Sequence, residues 1–225
     1  MKPFELLGQT FSPGGAVMKL VRRGGEYLIL VDGAILMSSR MHGSEDALAA
    51  VACQRLRTLQ QPSVLIGGLG MGFTLRATLD VLPPDATVVV VELVSAVVEW
   101  NSGPLAALAG HPLNDNRVRV VTGDVFVTLT SARGQFDAVL LDVDNGPAAF
   151  TASSNAALYD QLGIAAARAA LKPEGVLAVW AAQEDRKFAQ RLRDGGFNVQ
   201  VRRSRAHLNK NKRGPRHIIF LSHKM

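Results

Sequence analysis

The sequence predicts an α/β fold in which a doubly wound, mostly parallel β-sheet follows a small N-terminal antiparallel β appendage. From Ser63 onward, apolar strands alternate with helical segments, which is the rhythm of successive βαβ units. Before that point, short alternating runs are separated by Gly24-Gly25 and Asp32-Gly33, and an Asp-Gly pair favours a hairpin turn. We therefore divide the chain into residues 1–60, the appendage with the first helix, and residues 61–225, the main domain.

In the appendage, the runs AVMKLVRR, EYLILVDG and AILMSS predict two or three short antiparallel strands. The next segment, SEDALAAVACQRLRTL, has the periodicity of a helix, with Ser44 as the expected N-cap. Cys53, the only cysteine, lies in this apolar stretch, so we expect a buried thiol and no intrachain disulfide.

In the main domain, five near-continuous runs of aliphatic residues predict strands that are covered on both faces. They comprise residues 64–68, 87–93, 117–123, 136–142 and 175–181. Helices are predicted over residues 72–81, 94–108, 124–132, 155–171 and 184–194. The runs FNVQVRR and RHIIFLSH then predict a terminal antiparallel pair that flanks a basic loop.

The composition favours a cytoplasmic protein with no membrane segment. No apolar run reaches the roughly 18–20 residues of a membrane span, and the N-terminus lacks the apolar core of a secretory signal. A single cysteine agrees with a reducing compartment. The histidines have no metal-like spacing with Cys53 or with paired acids, so we predict no metal site.

The net charge of +6 comes from one segment, because residues 202–216 hold seven basic side chains and no acid. The rest of the chain has 18 basic and 19 acidic side chains. This basic loop is either a solvated connection or a site for an anionic partner such as a nucleic acid. It has no interleaved aromatic residues on which bases could stack.

A glycine-rich turn in VLIGGLGMGFTLR is the first candidate for a binding site. Gly68, Gly70 and Gly72 have G-x-G-x-G spacing between a strand and a helix. Without Cβ atoms the backbone can turn tightly and approach a ligand beside a helix N-terminus. The dinucleotide fingerprint is absent, since Phe73 and Leu75 stand where its last glycine would be. A purely structural turn is the alternative.

Acidic residues end the next strands. Glu92 ends the second strand, 20 residues after Gly72, where a carboxylate can accept hydrogen bonds from both ribose hydroxyls. Asp124, in TGDV, could contact an adenine amino group or cap the helix that starts at Val125. The fourth strand ends in LLDVDNGP, which carries Asp142. Ligands of open α/β sheets bind at these strand ends, so the pattern predicts an adenosine-type ligand.

With these motifs the chain resembles spermidine synthase and its relatives, in particular a group of short bacterial spermidine-synthase-like proteins. The similarity runs from about residue 16 to 182 and includes LIGGLGMGFTLR, the Glu after the second strand, GDV, FDAVLLDVDNGP and LYDQLGIAAARAALKPEGVLAVW. It implies a class I methyltransferase-like (Rossmann-like) fold, with a nucleoside-binding transferase domain over residues 61–225. The implied cofactor is S-adenosylmethionine or its decarboxylated form, and relatives commonly form a homodimer.

The resemblance also implies roles for individual residues. The nucleoside would be held by residues at the strand ends: Gly68, Gly70, Gly72, Glu92, Asp124 and Val125. Catalysis by a general base or an orienting carboxylate would fall to Asp142, with Asp144 beside it. The acceptor would be contacted by residues near the pocket: His42, Glu45, Asn145 and Tyr159. Trp180 is expected to pack in the core or to wall the pocket, and a structural role is also typical of a histidine placed like His42.

Three departures from the family pattern bear on the reaction. Aminopropyltransferases usually carry GGGDG, whose Asp binds the amine-bearing tail of the donor, whereas this chain has GGLGMG. Asn145 replaces the second acid of the usual D-[ST]-[ST]-D-P, and Met37 replaces a glutamine. The sequence therefore slightly favours methyl transfer to a small acceptor, expected to be an amine. Aminopropyl transfer to a polyamine is the alternative, and a non-catalytic nucleoside- or nucleic-acid-binding protein is a second one.

Overall fold

The structure is a computed structural model. It describes residues 3–143, 156–209 and 212–225, and for residues 206–209 and 212–213 it describes the backbone alone. Among these residues, no helix is both long and apolar enough to cross a membrane.

The N-terminal appendage is a four-stranded antiparallel sheet of consecutive strands: β1 (Glu5–Phe11), β2 (Val17–Arg23), β3 (Glu26–Val31) and β4 (Ala34–Ser38). The predicted antiparallel appendage is confirmed, with one strand more than the sequence patterns indicated. The additional strand is β1, whose pairing with β2 shifts register between Leu6 and Gly8. A strand with an internal irregularity and a glycine lacks the simple alternation that sequence patterns detect.

Helix α1 (Gly43–Cys53) follows the appendage and begins after His42. The predicted N-cap at Ser44 is wrong, because the Ser44 side chain makes no capping hydrogen bond and is fully buried. A short 3-10 helix, Gln54–Thr58, continues α1. Cys53 is buried as expected, and burial raises the pKa of its thiol to about 12.

The central sheet has seven strands in the order β10-β11-β9-β8-β5-β6-β7. They are β5 (Ser63–Gly67), β6 (Thr87–Glu92), β7 (Val118–Thr122), β8 (Phe136–Leu141), β9 (Leu171–Ala181), β10 (Phe197–Asn209) and β11 (Lys212–Lys224). Strands β5 to β9 are parallel, and β11 lies between β9 and β10, antiparallel to both. The predicted α/β class and the terminal antiparallel pair are therefore confirmed.

The remaining helices cover the two faces of the central sheet. They are α2 (Phe73–Val81), α3 (Ser95–Ser102), α4 (Val125–Ser131), α5 (Ala156–Tyr159), α6 (Gln161–Ala170) and α7 (Arg186–Asp194). The single helix predicted over residues 155–171 is interrupted by Asp160, whose side chain caps α6 by accepting from the Leu162 and Gly163 N–H groups. The helix predicted over 94–108 ends at Ser102, and a 3-10 turn follows at Ala106–Ala109.

Alternate residues of the central strands supply two hydrophobic clusters. Val64 and Ile66 belong to the cluster that also contains Leu20 and Ile29 of the N-terminal sheet. Leu65 belongs to the other cluster, which contains residues of α4, α6 and α7. Because strands buried on both faces need no polar alternation, their sequences are continuous apolar runs. The first cluster joins the N-terminal sheet to the central sheet, and a cavity opens between the two sheets.

The basic segment 202–216 is mostly strand, so its prediction as a loop is wrong. Strand β10 continues to Asn209 and β11 starts at Lys212, with Arg205 opposite Arg216. Pairing with β9 ends at Ile218, so the hairpin extends past the end of the sheet. Backbone hydrogen bonds join the two strands and do not require apolar side chains. A hairpin with charged side chains can therefore form without the apolar pattern from which strands are predicted.

Candidate active site

A cavity of about 300 Å³ lies between the N-terminal sheet and the carboxyl ends of the parallel strands. The wall at the strand ends carries the carboxylates of Glu92, Asp124 and Asp142 and the backbone of Gly68 and Gly70. The opposite wall is apolar and comes from the N-terminal sheet and the segment after it: Met18, Ile29, Val31, Leu36, Met37 and Met41. A concave, largely apolar site with a few convergent polar groups at strand ends is typical of small-molecule binding.

The glycine turn between β5 and α2 forms the floor of this cavity. Gly68 has a φ of +90° and Gly70 a φ of +52°, both in the region that favours glycine. A Cβ at Gly68 would overlap the backbone carbonyl of Asp142, and one at Gly70 would lie 2.8 Å from Met37 Cε. Gly72 lies outside the cavity lining and faces Asn101, as the left-handed residue before α2. Gly68 therefore lets two strand ends approach each other closely.

Glu92 is fixed at the end of β6 by backbone donors. Its Oε2 accepts from the Leu69 N–H at 2.8 Å and its Oε1 from the Val94 N–H at 2.9 Å. The side chain is buried yet borders the cavity. A carboxylate oxygen has more than one acceptor site, so each oxygen can also accept from a ligand hydroxyl. This arrangement suits the diol of a ribose.

Asp124 has the capping role that the sequence left open. Its Oδ1 accepts from the Phe126 N–H at 2.8 Å and so caps α4. Asp124 and Val125 also line the cavity. The same carboxylate therefore caps the start of α4 and borders the cavity.

Two carboxylates, Asp142 and Glu45, also line the cavity, and the charge of Asp142 acts on Glu45. Thr74 Oγ1 donates to Asp142 Oδ2 at 2.5 Å, and Ser44 Oγ donates to Glu45 Oε2 at 2.6 Å. Burial raises the pKa of Asp142 to about 6. Burial, followed by the charge of Asp142, raises the pKa of Glu45 to about 7. The pair therefore favours holding a proton, or a cation, between its members.

Other predicted site residues lie elsewhere. His42 is outside the cavity lining, where its ring stacks on Phe73 at 4.2 Å between centroids and its Nδ1 lies 3.0 Å from Asp46. Tyr159 is buried beside Phe188 and donates to the Val143 carbonyl at 3.3 Å, so it supports a residue that lines the cavity. Asp144 and Asn145 lie outside the described residues.

The sequence did not identify His217 as a site residue and left the role of Trp180 open. His217 on β11 lines the cavity, with its Nδ1 2.8 Å from Ser44 Oγ. Trp180, left open between core and pocket, lines the cavity and packs against His217 with ring centroids 4.7 Å apart. His217 and Ser44 are 173 positions apart, so no local pattern could connect them. In the described part of the chain, no group of three or more His, Cys, Asp or Glu side chains is arranged to hold a metal.

The strand order, with the glycine turn after β5 and the acid at the end of β6, is that of the class I methyltransferase-like α/β fold. The chain belongs to the spermine/spermidine synthase family, since the model of the spermine/spermidine synthase domain matches residues 44–192. Its members are transferases that use donors derived from S-adenosylmethionine. No curated protein sequence matches the chain.

Solved structures of spermidine synthases share this fold. A spermidine synthase in complex with the transition-state analogue AdoDATO superposes with a TM-score of 0.75 at 17% identity, over 98% of this chain and 72% of that one. Spermidine synthase from Thermotoga maritima gives 0.76 at 17%, over 98% and 73%. A probable spermidine synthase from Corynebacterium glutamicum ATCC 13032 gives 0.66 at 16%, over 99% and 81%. At such identities the likeness is one of fold.

Replacing Glu92 by Gln should weaken binding of the nucleoside donor. The amide keeps one acceptor oxygen, so one of the Leu69 and Val94 N–H groups would face an NH₂ group instead of an acceptor. The neutral amide would also give a ribose hydroxyl one charged acceptor fewer; loss of such a hydrogen bond costs about 1.5–3 kcal/mol, so we expect the Kd to rise roughly 10- to 100-fold. Calorimetric titration with 5′-methylthioadenosine measures it. Asp80→Asn, which alters an exposed carboxylate paired with Arg76, is the control and should leave this Kd unchanged.

The unliganded protein should lose stability as the pH rises through the range where Glu45 ionises. The pKa of Glu45 is raised from 4.5 to about 7 in the folded protein. Its contribution to stability is therefore complete below its unfolded-state pKa of 4.5 and is lost as the pH rises through its folded-state pKa of about 7. Glu45→Gln lacks this titration. One pKa unit corresponds to about 1.4 kcal/mol, so the unfolding free energy of the variant relative to wild type should rise by about 2–3 kcal/mol between pH 5 and 8. Urea denaturation at both pH values measures it, and a constant difference would contradict the assignment.

Proposed function

We propose that the protein transfers an aminopropyl group from decarboxylated S-adenosylmethionine to a small amine. The family match and the fold shared with spermidine synthases support this reaction. These findings favour aminopropyl transfer over methyl transfer. The three departures from the family pattern in the sequence had slightly favoured methyl transfer. Methyl transfer from S-adenosylmethionine to the same class of acceptor is the competing outcome of the test below.

The observation that carries the proposal is the Asp142–Glu45 carboxylate pair at one end of the cleft. Two buried carboxylates repel each other and lack the solvation of bulk water, so a cation placed beside them is strongly favoured. An amine acceptor enters as an ammonium ion and the donor carries a sulfonium. Both cations are therefore attracted to the site where the bond must form.

The nucleoside end of the cleft would fix the donor. Gly68 and Gly70 allow the backbone to approach it, Glu92 would accept from its ribose hydroxyls, and Asp124 lies where the base would bind. The sulfonium would then lie between the glycine turn and Asp142, because Gly68 brings these two strand ends together. Orientation of this kind supplies much of the rate of a two-substrate reaction.

The transfer itself is an in-line displacement at carbon. The neutral amine nitrogen attacks the methylene carbon bonded to sulfur, a C–N bond forms, and the C–S bond breaks with its electron pair returning to sulfur. The leaving group is neutral 5′-methylthioadenosine. Because an ammonium has no lone pair, it must lose a proton before it attacks. Asp142, held by Thr74, would orient the nitrogen and accept a proton as the C–N bond forms.

The test is incubation of the full chain with decarboxylated S-adenosylmethionine and a panel of mono-, di- and triamines. Release of 5′-methylthioadenosine together with the aminopropylated amine, both detected by mass spectrometry, is the expected result. The parallel incubation uses S-adenosylmethionine and detects S-adenosylhomocysteine. Methylated amine from that arm alone would replace aminopropyl transfer by methyl transfer, and no product in either arm would sink the proposed function.

A further inference from the structure

A chain of hydrogen bonds connects His217 on β11, through Ser44, to Glu45 of the carboxylate pair. Neither His217 nor Ser44 has a role in the transfer step described above. His217 Nδ1 lies 2.8 Å from Ser44 Oγ, and Ser44 Oγ lies 2.6 Å from Glu45 Oε2. Ser44 is fully buried, while His217 and Glu45 both border the cavity that contains Asp142. The three side chains therefore link the open cavity, through a buried hydroxyl, to a carboxylate.

The single proton of the Ser44 hydroxyl ties the state of His217 to that of Glu45. When Glu45 is ionised, Ser44 donates to it and must accept from an Nδ1–H of His217, which leaves the Nε2 lone pair available. When Glu45 is protonated, its carboxyl donates to Ser44, and Ser44 donates to Nδ1, so the imidazole proton is on Nε2. A change of charge on Glu45 thus switches the tautomer of His217.

The surroundings keep His217 neutral. Burial lowers the pKa of His217, and its ring packs edge-on against Trp180 with an interplanar angle of 67°. On the far side of Ser44, the charges of Asp142 and then Asp46 act on Glu45 and raise its pKa. Nε2 lies on the side of the ring away from Ser44 and has no hydrogen bond to any residue that the structure describes. It is therefore a neutral acceptor beside the cavity.

We infer that His217, Ser44 and Glu45 form a proton relay that converts the bound acceptor ammonium into the neutral amine. The ammonium N–H bond breaks as Nε2–H forms, Nδ1–H breaks as a new Oγ–H forms, and the original Ser44 proton passes to Glu45 Oε2. The products are a neutral amine, a neutral imidazole in the other tautomer and a protonated Glu45, so protons and charges balance. The relay rests on the proposed function for its substrate.

The tautomer of His217 tests the relay without any turnover. Nitrogen-15 spectra of the imidazole rings of the full chain report which nitrogen carries the proton, and His217→Asn identifies the His217 signals among those of the five histidines. We expect Nδ1–H at high pH and a change to Nε2–H as the pH falls through about 7, where Glu45 protonates. In Glu45→Gln this change should vanish. One unchanged tautomer throughout this range in the wild-type protein would overturn the relay.

Turnover gives a second, independent readout. His217→Asn keeps a polar atom near the Nδ1 position for Ser44 but cannot accept the proton, and Ser44→Ala interrupts the chain while keeping His217. Because general-base steps contribute about 100-fold or more, kcat should fall roughly 100-fold in each variant, with the Kd of 5′-methylthioadenosine unchanged. The deficit should shrink at high pH, where the acceptor is already neutral, whereas a structural defect would persist.

The outcomes separate the two proposals. If the wild-type protein transfers no aminopropyl group to any amine, the proposed function fails, and the tautomer measurement still decides whether the relay exists. If the wild-type protein is active and both variants keep their kcat, the relay is wrong while the proposed function stands.

Discussion

Replacing Asp142 by Asn should lower turnover roughly 10²- to 10⁴-fold, which is the usual contribution of a carboxylate acting as general base. Asn retains the shape of Asp142 and a partner for the Thr74 hydroxyl, but it cannot take a proton or balance an ammonium. Glu92 and Asp124, which are proposed to contact the nucleoside, lie at other strand ends, so the Kd of 5′-methylthioadenosine should change little. Steady-state kinetics with calorimetry separate the two quantities.

The matched control is Asp137→Asn on β8, the strand that Asp142 directly follows. Asp137 accepts from Lys172 at 2.6 Å and from the Ser63 N–H at 2.7 Å, and it lies outside the cavity lining. This variant should lower stability and leave kcat unchanged. Equal turnover by the Asp142→Asn variant and the wild-type protein would remove Asp142 from the mechanism.

Gly68→Ala should be the most disruptive substitution in the glycine turn. Its φ of +90° is unfavourable for alanine, and the added Cβ would overlap the Asp142 carbonyl, a backbone atom that cannot rotate away. Left-handed backbone costs roughly 1–2 kcal/mol and overpacking about 1–3 kcal/mol, so we expect a loss of about 2–5 kcal/mol of unfolding free energy. Urea denaturation measures the loss, and the displaced Asp142 should reduce turnover as well.

Gly33→Ala isolates the steric part of this effect. Gly33 has a φ of +82°, close to that of Gly68, but a Cβ there would meet nothing within 4 Å. It should therefore cost only the backbone term of about 1–2 kcal/mol and leave turnover intact. If the two variants lose equal stability, the close approach of Gly68 to Asp142 has no energetic importance.

The sequence predicted the parts of the fold that depend on local pattern. Strand β5 and its glycine turn were predictable because a strand covered on both faces is a continuous apolar run and a tight turn needs glycine. The position of Glu92 followed from the same logic, since it ends the next strand. The strand ends that carry the glycine turn and Glu92 could therefore be predicted from the sequence.

The surroundings of Asp142 could be predicted only in part, because they depend on contacts between residues that are far apart in the sequence. Asp142 stood out at a strand end, and Glu45 was one of two candidates in its segment, but their electrostatic coupling arises from the packing of α1 beside β8. Ser44 was mistaken for a cap because serine before a helical run commonly caps it. Its actual partners are Glu45 and His217; His217 lies on β11, which was predicted as a strand, but no local pattern places that strand beside α1.

The place of β11 bears on how the molecule comes into being during synthesis. Strand β9 leaves the ribosome before β10 and β11, yet of its two neighbours, β8 and β11, the second is the last strand of the sheet to be made. Until β11 arrives, β9 is an open edge with unpaired backbone groups, a place where nascent chains can associate. His217 arrives with that strand, so closing the sheet and completing the lining of the cavity are one late event.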